Sequence, residues 1–287
     1  MKYLVFGGTG LLGKALKNRI NENKDICITV ARNNADFCIN IQDDIKIQKL
    51  IKEQKPDVVI NACAIVNHKI CDENPSLAYE TNARPSAILT NLAAENNFKY
   101  VYISTDGYFH GDKNVKHLET AKVLLLNEYA RTKYTGEQFT LTNPNALVVR
   151  TNIVGFRGKE EPTFVEWVIN SLKNNAEMTL FDDYYTSSIS VSQFSIALCS
   201  LIKKNASGII NLASSEVFSK KEFIEKLANE FNFSLKNTHV GSVSSLSSKR
   251  ADSLGLDVSL AESILGYNLP TLNDVIFQLK KEYENVQ

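Results

Sequence analysis

Lys2-Tyr3-Leu4-Val5-Phe6 runs directly into Gly7-Gly8-Thr9-Gly10-Leu11-Leu12-Gly13, after which Leu12, Leu16 and Ile20 recur at helical spacing. An apolar strand, a glycine turn and an amphipathic helix are therefore predicted in that order. The turn satisfies GxGxxG through Gly8, Gly10 and Gly13, and GxxGxxG through Gly7, Gly10 and Gly13. Side chains at these positions would keep a pyrophosphate away from the backbone, whereas glycines let it meet the N–H groups and positive end of the helix. Gly7, Thr9, Gly10, Leu11, Leu12 and Gly13 are accordingly expected to bind a dinucleotide.

Outward from this turn, strands and helices alternate. A second strand over 26–31 ends at Arg32-Asn33-Asn34, where an acid would bind a ribose diol and a basic residue accommodates a 2′-phosphate. Arg32 points to NADPH as the cofactor, with NADH left open. A third short strand is predicted over 36–41, which sets Asn40 and Ile41 beside the adenine if the crossover pattern holds. A helix over 44–53, a buried strand over 57–61 and one long helix over 75–95 follow. A strand over 99–104, a helix over 127–140 and a strand over 146–150 complete the regular part. This alternation implies right-handed βαβ units, hence an α/β fold with a doubly wound, Rossmann-type parallel sheet. Ligands of such sheets bind beyond the carboxyl ends of the strands, where Ala62-Cys63-Ala64 and Ser104-Thr105-Asp106 stand.

Beyond Arg150 the pattern loosens. Helices are expected over 162–173, 191–203, 219–230, 260–265 and 272–283, short strands near 178–180, 188–190 and 208–212, and an exposed serine-rich loop over 241–248. The domain reading is a dinucleotide-binding domain over 1–155, with elements of about 186–213 returning to it. A smaller C-terminal substrate-binding lobe, interleaved with it, takes most of 156–287.

Bulk properties exclude several classes. Lys+Arg and Asp+Glu are each 32 of 287 residues, so the basic excess expected of a nucleic-acid binder is missing. Neither a run of apolar residues long enough for a bilayer nor the pattern of a signal peptide occurs, and a cytoplasmic location without a membrane partner is expected. The five cysteines, at 27, 38, 63, 71 and 199, form no CxxC pair and read as reduced. The four histidines show no ligand spacing, so no metal site is expected.

The chemistry centres on Tyr129-Ala130-Arg131-Thr132-Lys133, which sets a phenol and an ammonium one helical turn apart on one face. A free tyrosine has a pKa of about 10, and a neighbouring positive charge favours its phenolate. Lys133 can supply that charge.

The glycine turn, Ser104-Thr105-Asp106 at a strand end and Tyr129 to Lys133 on the next helix together resemble the extended short-chain dehydrogenase/reductase family, in its dTDP-4-dehydrorhamnose reductase branch. The likeness extends through Val59-Ile60-Asn61-Ala62, Asn82-Ala83, Phe109, Gly111, Gly136-Glu137, Val149-Arg150-Thr151 and Ile210-Asn211-Leu212-Ala213. It implies an NADPH-dependent reductase of a nucleotide-activated 4-keto-6-deoxysugar. Tyr129 would act as general acid, Lys133 would tune it and bind the nicotinamide ribose, and Thr105 would hydrogen-bond the carbonyl oxygen. The substrate residues implied are Thr105, Asp106, Tyr108, Asn152 and Arg250. The sequence Thr105-Asp106-Gly107 lacks the Asp-Glu pair of the related dehydratases, and His68-Lys69 departs from the branch's usual Val-Asp. A nucleotide-sugar epimerase and a non-catalytic NADP-binding regulatory subunit of the same fold stay open as alternatives, and so does a homodimer.

Overall fold

The apolar runs over 2–6, 58–61, 99–103 and 147–150 belong to a sheet covered on both faces, and in the computed structural model these strands are buried along almost their whole length. The structure describes residues 1–158, 161–245 and 251–284. By its contacts the chain forms two units, one of Met1–Thr105, Leu125–Arg150 and Leu198–Ile210 and the other of Asp106–Leu124, Thr151–Ala197 and the residues from Asn211 onward.

In chain order the elements up to residue 150 are β1 (Lys2–Phe6), α1 (Leu11–Glu22), β2 (Ile26–Ala31), β3 (Phe37–Cys38), α2 (Asp44–Gln54), β4 (Val58–Asn61), α3 (His68–Glu73), α4 (Pro75–Asn82), α5 (Arg84–Asn96), β5 (Lys99–Ile103), α6 (Glu128–Thr140) and β6 (Leu147–Arg150). Then come β7 (Ile153–Val154), α7 (Phe164–Lys173), β8 (Met178–Phe181), β9 (Tyr185–Thr186), β10 (Ile189–Ser190), α8 (Val191–Lys203), β11 (Gly208–Asn211), β12 (Phe218–Ser219), α9 (Lys220–Glu230), β13 (Thr238–Gly241), β14 (Ser253–Leu254), α10 (Ser259–Leu265) and α11 (Leu272–Glu284).

The first unit carries a seven-stranded sheet of order β11-β6-β5-β4-β1-β2-β3. β1 pairs in parallel with β2 on one side and with β4 on the other, Phe6 standing beside Val30 and Asn61. The chain thus leaves β1 toward one edge and returns to the other, which makes the β1/β4 boundary the switch point where doubly wound sheets bind ligands. Leu4, Phe6, Val30, Ile47, Leu50, Val59, Leu89, Tyr100, Tyr102 and Val148 pack into one core on this sheet. In α1 the buried positions are Gly13, Leu16 and Ile20.

Two expectations are corrected here. The single helix over 75–95 is two, α4 and α5, divided at Ala83, which is both the C-cap of the first and the N-cap of the second. Pro85 stands in the first turn of α5, where its missing N–H is tolerated, but it cannot give the Thr81 carbonyl the i→i−4 bond that one continuous helix would need. The Asn82 carbonyl near this break accepts the Tyr102 hydroxyl at 2.7 Å. The third strand is only Phe37–Cys38, because the backbone beyond it turns, with Gln42 N–H donating to Asn40 Oδ1 at 3.2 Å.

The second unit has a core of Val165, Val168, Ile169, Leu180, Phe218, Phe223, Leu227, Val275 and Leu279. Its sheets are small: β7 with β10, β9 between β12 and β14, and β8 with β13. The stretch expected as a loop from residue 241 begins at the end of β13 and continues into a 3₁₀ turn, Val243–Ser245, while 246–248 lie outside the described residues. Among the described residues no helix is long and apolar enough to cross a membrane.

Candidate active site

At the carboxyl end of β1, Gly7 adopts φ +81°, and a Cβ there would stand 2.9 Å from the Ala62 carbonyl oxygen. At Gly13 a Cβ would lie 2.2 Å from the Gly7 oxygen. Backbone therefore fills the space that side chains would occupy, and α1 begins directly against the strand end. Gly10 is the N-cap of α1, makes no side-chain cap bond, and no acid occupies the first turn. Helix N–H groups without a carboxylate among them fit a pyrophosphate. Thr9, Leu11 and Leu12 stand in the same turn, half-buried.

Arg32, just past β2, is exposed and makes no ion pair among the described residues. The nearest acid along the chain, Asp36, is committed elsewhere: its Oδ2 accepts from Thr29 N–H at 2.9 Å and from Thr29 Oγ1 at 2.6 Å. Those bonds hold the Asp36 carboxyl below the usual range. Asn40 is exposed, whereas the Ile41 side chain joins the core. After β4, Ala62, Cys63 and Ala64 are half-buried, and burial pushes the Cys63 thiol up to about 12, against the opposing charges of Lys133 and Arg32. A thiol held so firmly protonated is no nucleophile.

α6 carries the phenol and the ammonium. Asn127 caps it, Oδ1 accepting from Ala130 N–H at 2.9 Å, and Glu128 N–H donates to Asp72 Oδ1 on α3 at 2.9 Å. Lys133 is 2% exposed, and its Nζ donates to the Ile103 carbonyl oxygen at 2.6 Å while lying 4.1 Å from the Tyr102 ring centroid. Burial pushes its pKa down to about 7, with Glu137 and Cys63 opposing. The ammonium is thereby anchored two residues before Thr105, itself buried at the end of β5. Tyr129 is half-buried and stacks on His68, with centroids 5.0 Å apart and planes 20° apart.

The segment around Thr105 is locked by groups whose roles the sequence did not reveal. Ser104 Oγ donates to Glu137 Oε1 at 2.6 Å, and Arg150 closes on the same carboxylate through Nη2 at 2.8 Å and Nε at 3.0 Å. Both members of this pair are buried, 2% and 0% exposed. Gly136 lets α6 approach β5, since a Cβ there would meet the Tyr102 hydroxyl at 2.4 Å. The Gly136-Glu137 dipeptide was visible in the sequence, but its partners are remote in the chain.

In the second unit, Asp106 is buried and its Oδ2 accepts from Asn152 Nδ2 at 2.7 Å. Asn152 Oδ1 accepts in turn from Ser188 Oγ at 3.0 Å. Tyr108 is wholly buried, edge-on to Phe109 at 6.4 Å. Arg250, the remaining substrate residue that the resemblance implies, lies outside the described residues. Among the described residues no group of three or more His, Cys, Asp and Glu side chains could hold a metal ion.

A family model described as the RmlD substrate binding domain matches residues 1–279. A probable low-salt glycan biosynthesis reductase of Haloferax volcanii is 26% identical over 99% of both chains. The dTDP-4-dehydrorhamnose reductase of Salmonella typhimurium is 27% identical over 64% of this chain and 61% of that enzyme. In three dimensions the chain resembles the dTDP-4-dehydrorhamnose reductase of Bacillus anthracis, solved in complex with NADP. The TM-score is 0.88 and the identity 23%, over 98% of this chain and 99% of that one, a likeness of fold.

Proposed function

The chain belongs to the RmlD substrate-binding domain family, and from that premise we propose that it is an NADPH-dependent reductase of a nucleotide-activated 4-keto-6-deoxysugar. The observation that carries this reading is the buried Lys133 ammonium, held at 2.6 Å from the Ile103 oxygen, two residues before Thr105 and one helical turn past Tyr129. The names of the relatives, reductases acting on dTDP-linked ketosugars among them, support the same chemistry.

The residues present fit the cofactor. The backbone of Gly7, Thr9, Gly10, Leu11, Leu12 and Gly13 receives the pyrophosphate, Arg32 the 2′-phosphate, and Asn40, Ile41, Ala62, Cys63 and Ala64 border the adenosine and ribose. Lys133 holds the nicotinamide ribose, with donors that Ile103 does not use. When bound, NADPH supplies the hydride that reduces the ketone carbon.

Tyr129 delivers the phenol proton to the carbonyl oxygen as that oxygen gains negative charge. Thr105 donates its hydroxyl hydrogen to the same oxygen. Lys133 favours proton release by placing positive charge near the resulting phenolate. Within the second unit, Asp106 and Asn152 are bonded to each other, and both are among the substrate residues that the resemblance implies. The test supplies NADPH with dTDP-, GDP- and UDP-linked 4-keto-6-deoxysugars and follows the reduced nicotinamide. No oxidation across the panel, or undiminished turnover in Tyr129→Phe, overturns the reading.

A further inference from the structure

Lys220 opens α9, and its ammonium lies 4.1 Å from the Phe164 ring centroid and 5.6 Å from that of Tyr184. Its backbone N–H donates to the Tyr184 oxygen at 2.9 Å, which roots the side chain beside these rings. Aromatic faces attract a cation but accept none of its three hydrogen bonds in the manner of an oxygen. Among the described residues no oxygen accepts a hydrogen bond from this ammonium, and the Asp106 charge favours its protonated form. The Asp106 carboxylate already accepts from Asn152.

The surroundings oppose a cation here. Burial pushes the Lys220 pKa down to about 8, with Asp106 opposing. The first turn of a helix is also the wrong end for positive charge. Neighbouring Lys221 resolves the same difficulty by pairing with Glu225 at 2.9 Å, and Lys220 does not. The helix end itself is occupied, because Ser219 and Glu222 form a reciprocal capping box. What lacks an answer is therefore the side chain, in the unit that also carries Asp106 and Asn152.

We infer that Lys220 is an anion-binding residue of the second unit and takes an oxygen of the nucleotide sugar's diphosphate. The inference rests on the reductase reading and deepens it. A sugar hydroxyl could accept a hydrogen bond but would leave the charge uncompensated, whereas in a nucleotide sugar the diphosphate carries the negative charge. The rings of Phe164 and Tyr184 take the place of part of the water around the half-buried ammonium, which strengthens its attraction to an arriving anion.

The test uses the full chain saturated with NADP⁺, so that the glycine turn is filled, and titrates it calorimetrically with inorganic pyrophosphate and with dTDP. Lys220→Met is expected to weaken both by about tenfold or more, and Lys220→Arg to stay within about threefold of wild type. Steady-state assays should show the Lys220→Met loss in KM for the ketosugar, with kcat largely kept. Wild type binding neither probe, or Lys220→Met binding both within about twofold of wild type, overturns the inference. Lys220→Gln replaces the methionine variant if thermal melting shows the latter misfolded. Pyrophosphate binding lost in Lys220→Met, with no wild-type turnover of any ketosugar, would remove the reductase and leave the anion site. Wild-type turnover with an unchanged KM in Lys220→Met would remove the anion site and leave the reductase.

Discussion

Replacing Lys133 by methionine should stabilise the ligand-free protein near neutral pH while sharply lowering turnover. Burial lowers the Lys133 pKa from 10.5 to about 7. The unfolded chain therefore binds this proton up to pH 10.5, while the folded chain releases it near pH 7. Folding is opposed in full below pH 7, progressively less as pH rises, and not at all above 10.5. At 1.36 kcal/mol per unit, the opposition is on the order of 5 kcal/mol at pH 6 and under about 1 kcal/mol at pH 10. Methionine removes it but leaves the Ile103 carbonyl without its donor, a loss of about 1–3 kcal/mol. The variant should thus melt several degrees above wild type at pH 6, at about 2 °C per kcal/mol for a chain of this size. At pH 10 the lost bond to Ile103 dominates and the order reverses. Paired thermal melts across this range measure the difference, and other titrating groups cancel between the two proteins. NADPH oxidation should meanwhile fall by about 10² or more. A variant no more stable than wild type at pH 6, or a stability difference that ignores pH, would refute the reasoning.

On the proposed mechanism Tyr129→Phe should lower kcat by about 10²–10⁴ while the melting temperature moves little, since the half-buried ring and its stacking on His68 are kept. Arg32→Asp removes the cation expected to face the 2′-phosphate, and the KM ratio of NADPH to NADH should rise by about 10–100-fold; an unchanged ratio would place the cofactor preference elsewhere. Glu137→Gln leaves the buried Arg150 guanidinium without its counter-charge and should cost about 3 kcal/mol or more, read as a lower midpoint in urea.

Much of the first unit was legible because its signals are local. A strand running into glycines and then a helical repeat involves consecutive residues, and Tyr129 and Lys133 meet through the geometry of a single helix. The break at Ala83 was also written locally, in Arg84-Pro85, but lay hidden inside an otherwise helical pattern. The strands missed in the second unit are mostly two residues long, as β9, β12 and β14 are, too short for any periodicity to register. β13 has four residues, none of them buried, and so lacks the apolar signal of a core strand.

The sequence by itself determined the alternation of elements, the glycine turn and the one-turn spacing of phenol and ammonium, each set by backbone geometry within a few residues. Tertiary structure alone decided the rest. Pairing of β1 with β4 brings Ala62 against Gly7, and the Glu137–Arg150 pair ties Ser104 in place. The Lys133 ammonium meets the Ile103 oxygen from thirty residues away, and Lys220 meets the ring of Phe164. Such contacts join groups distant in the chain, and burial, which appears only once the chain has closed on itself, determines what charge they carry.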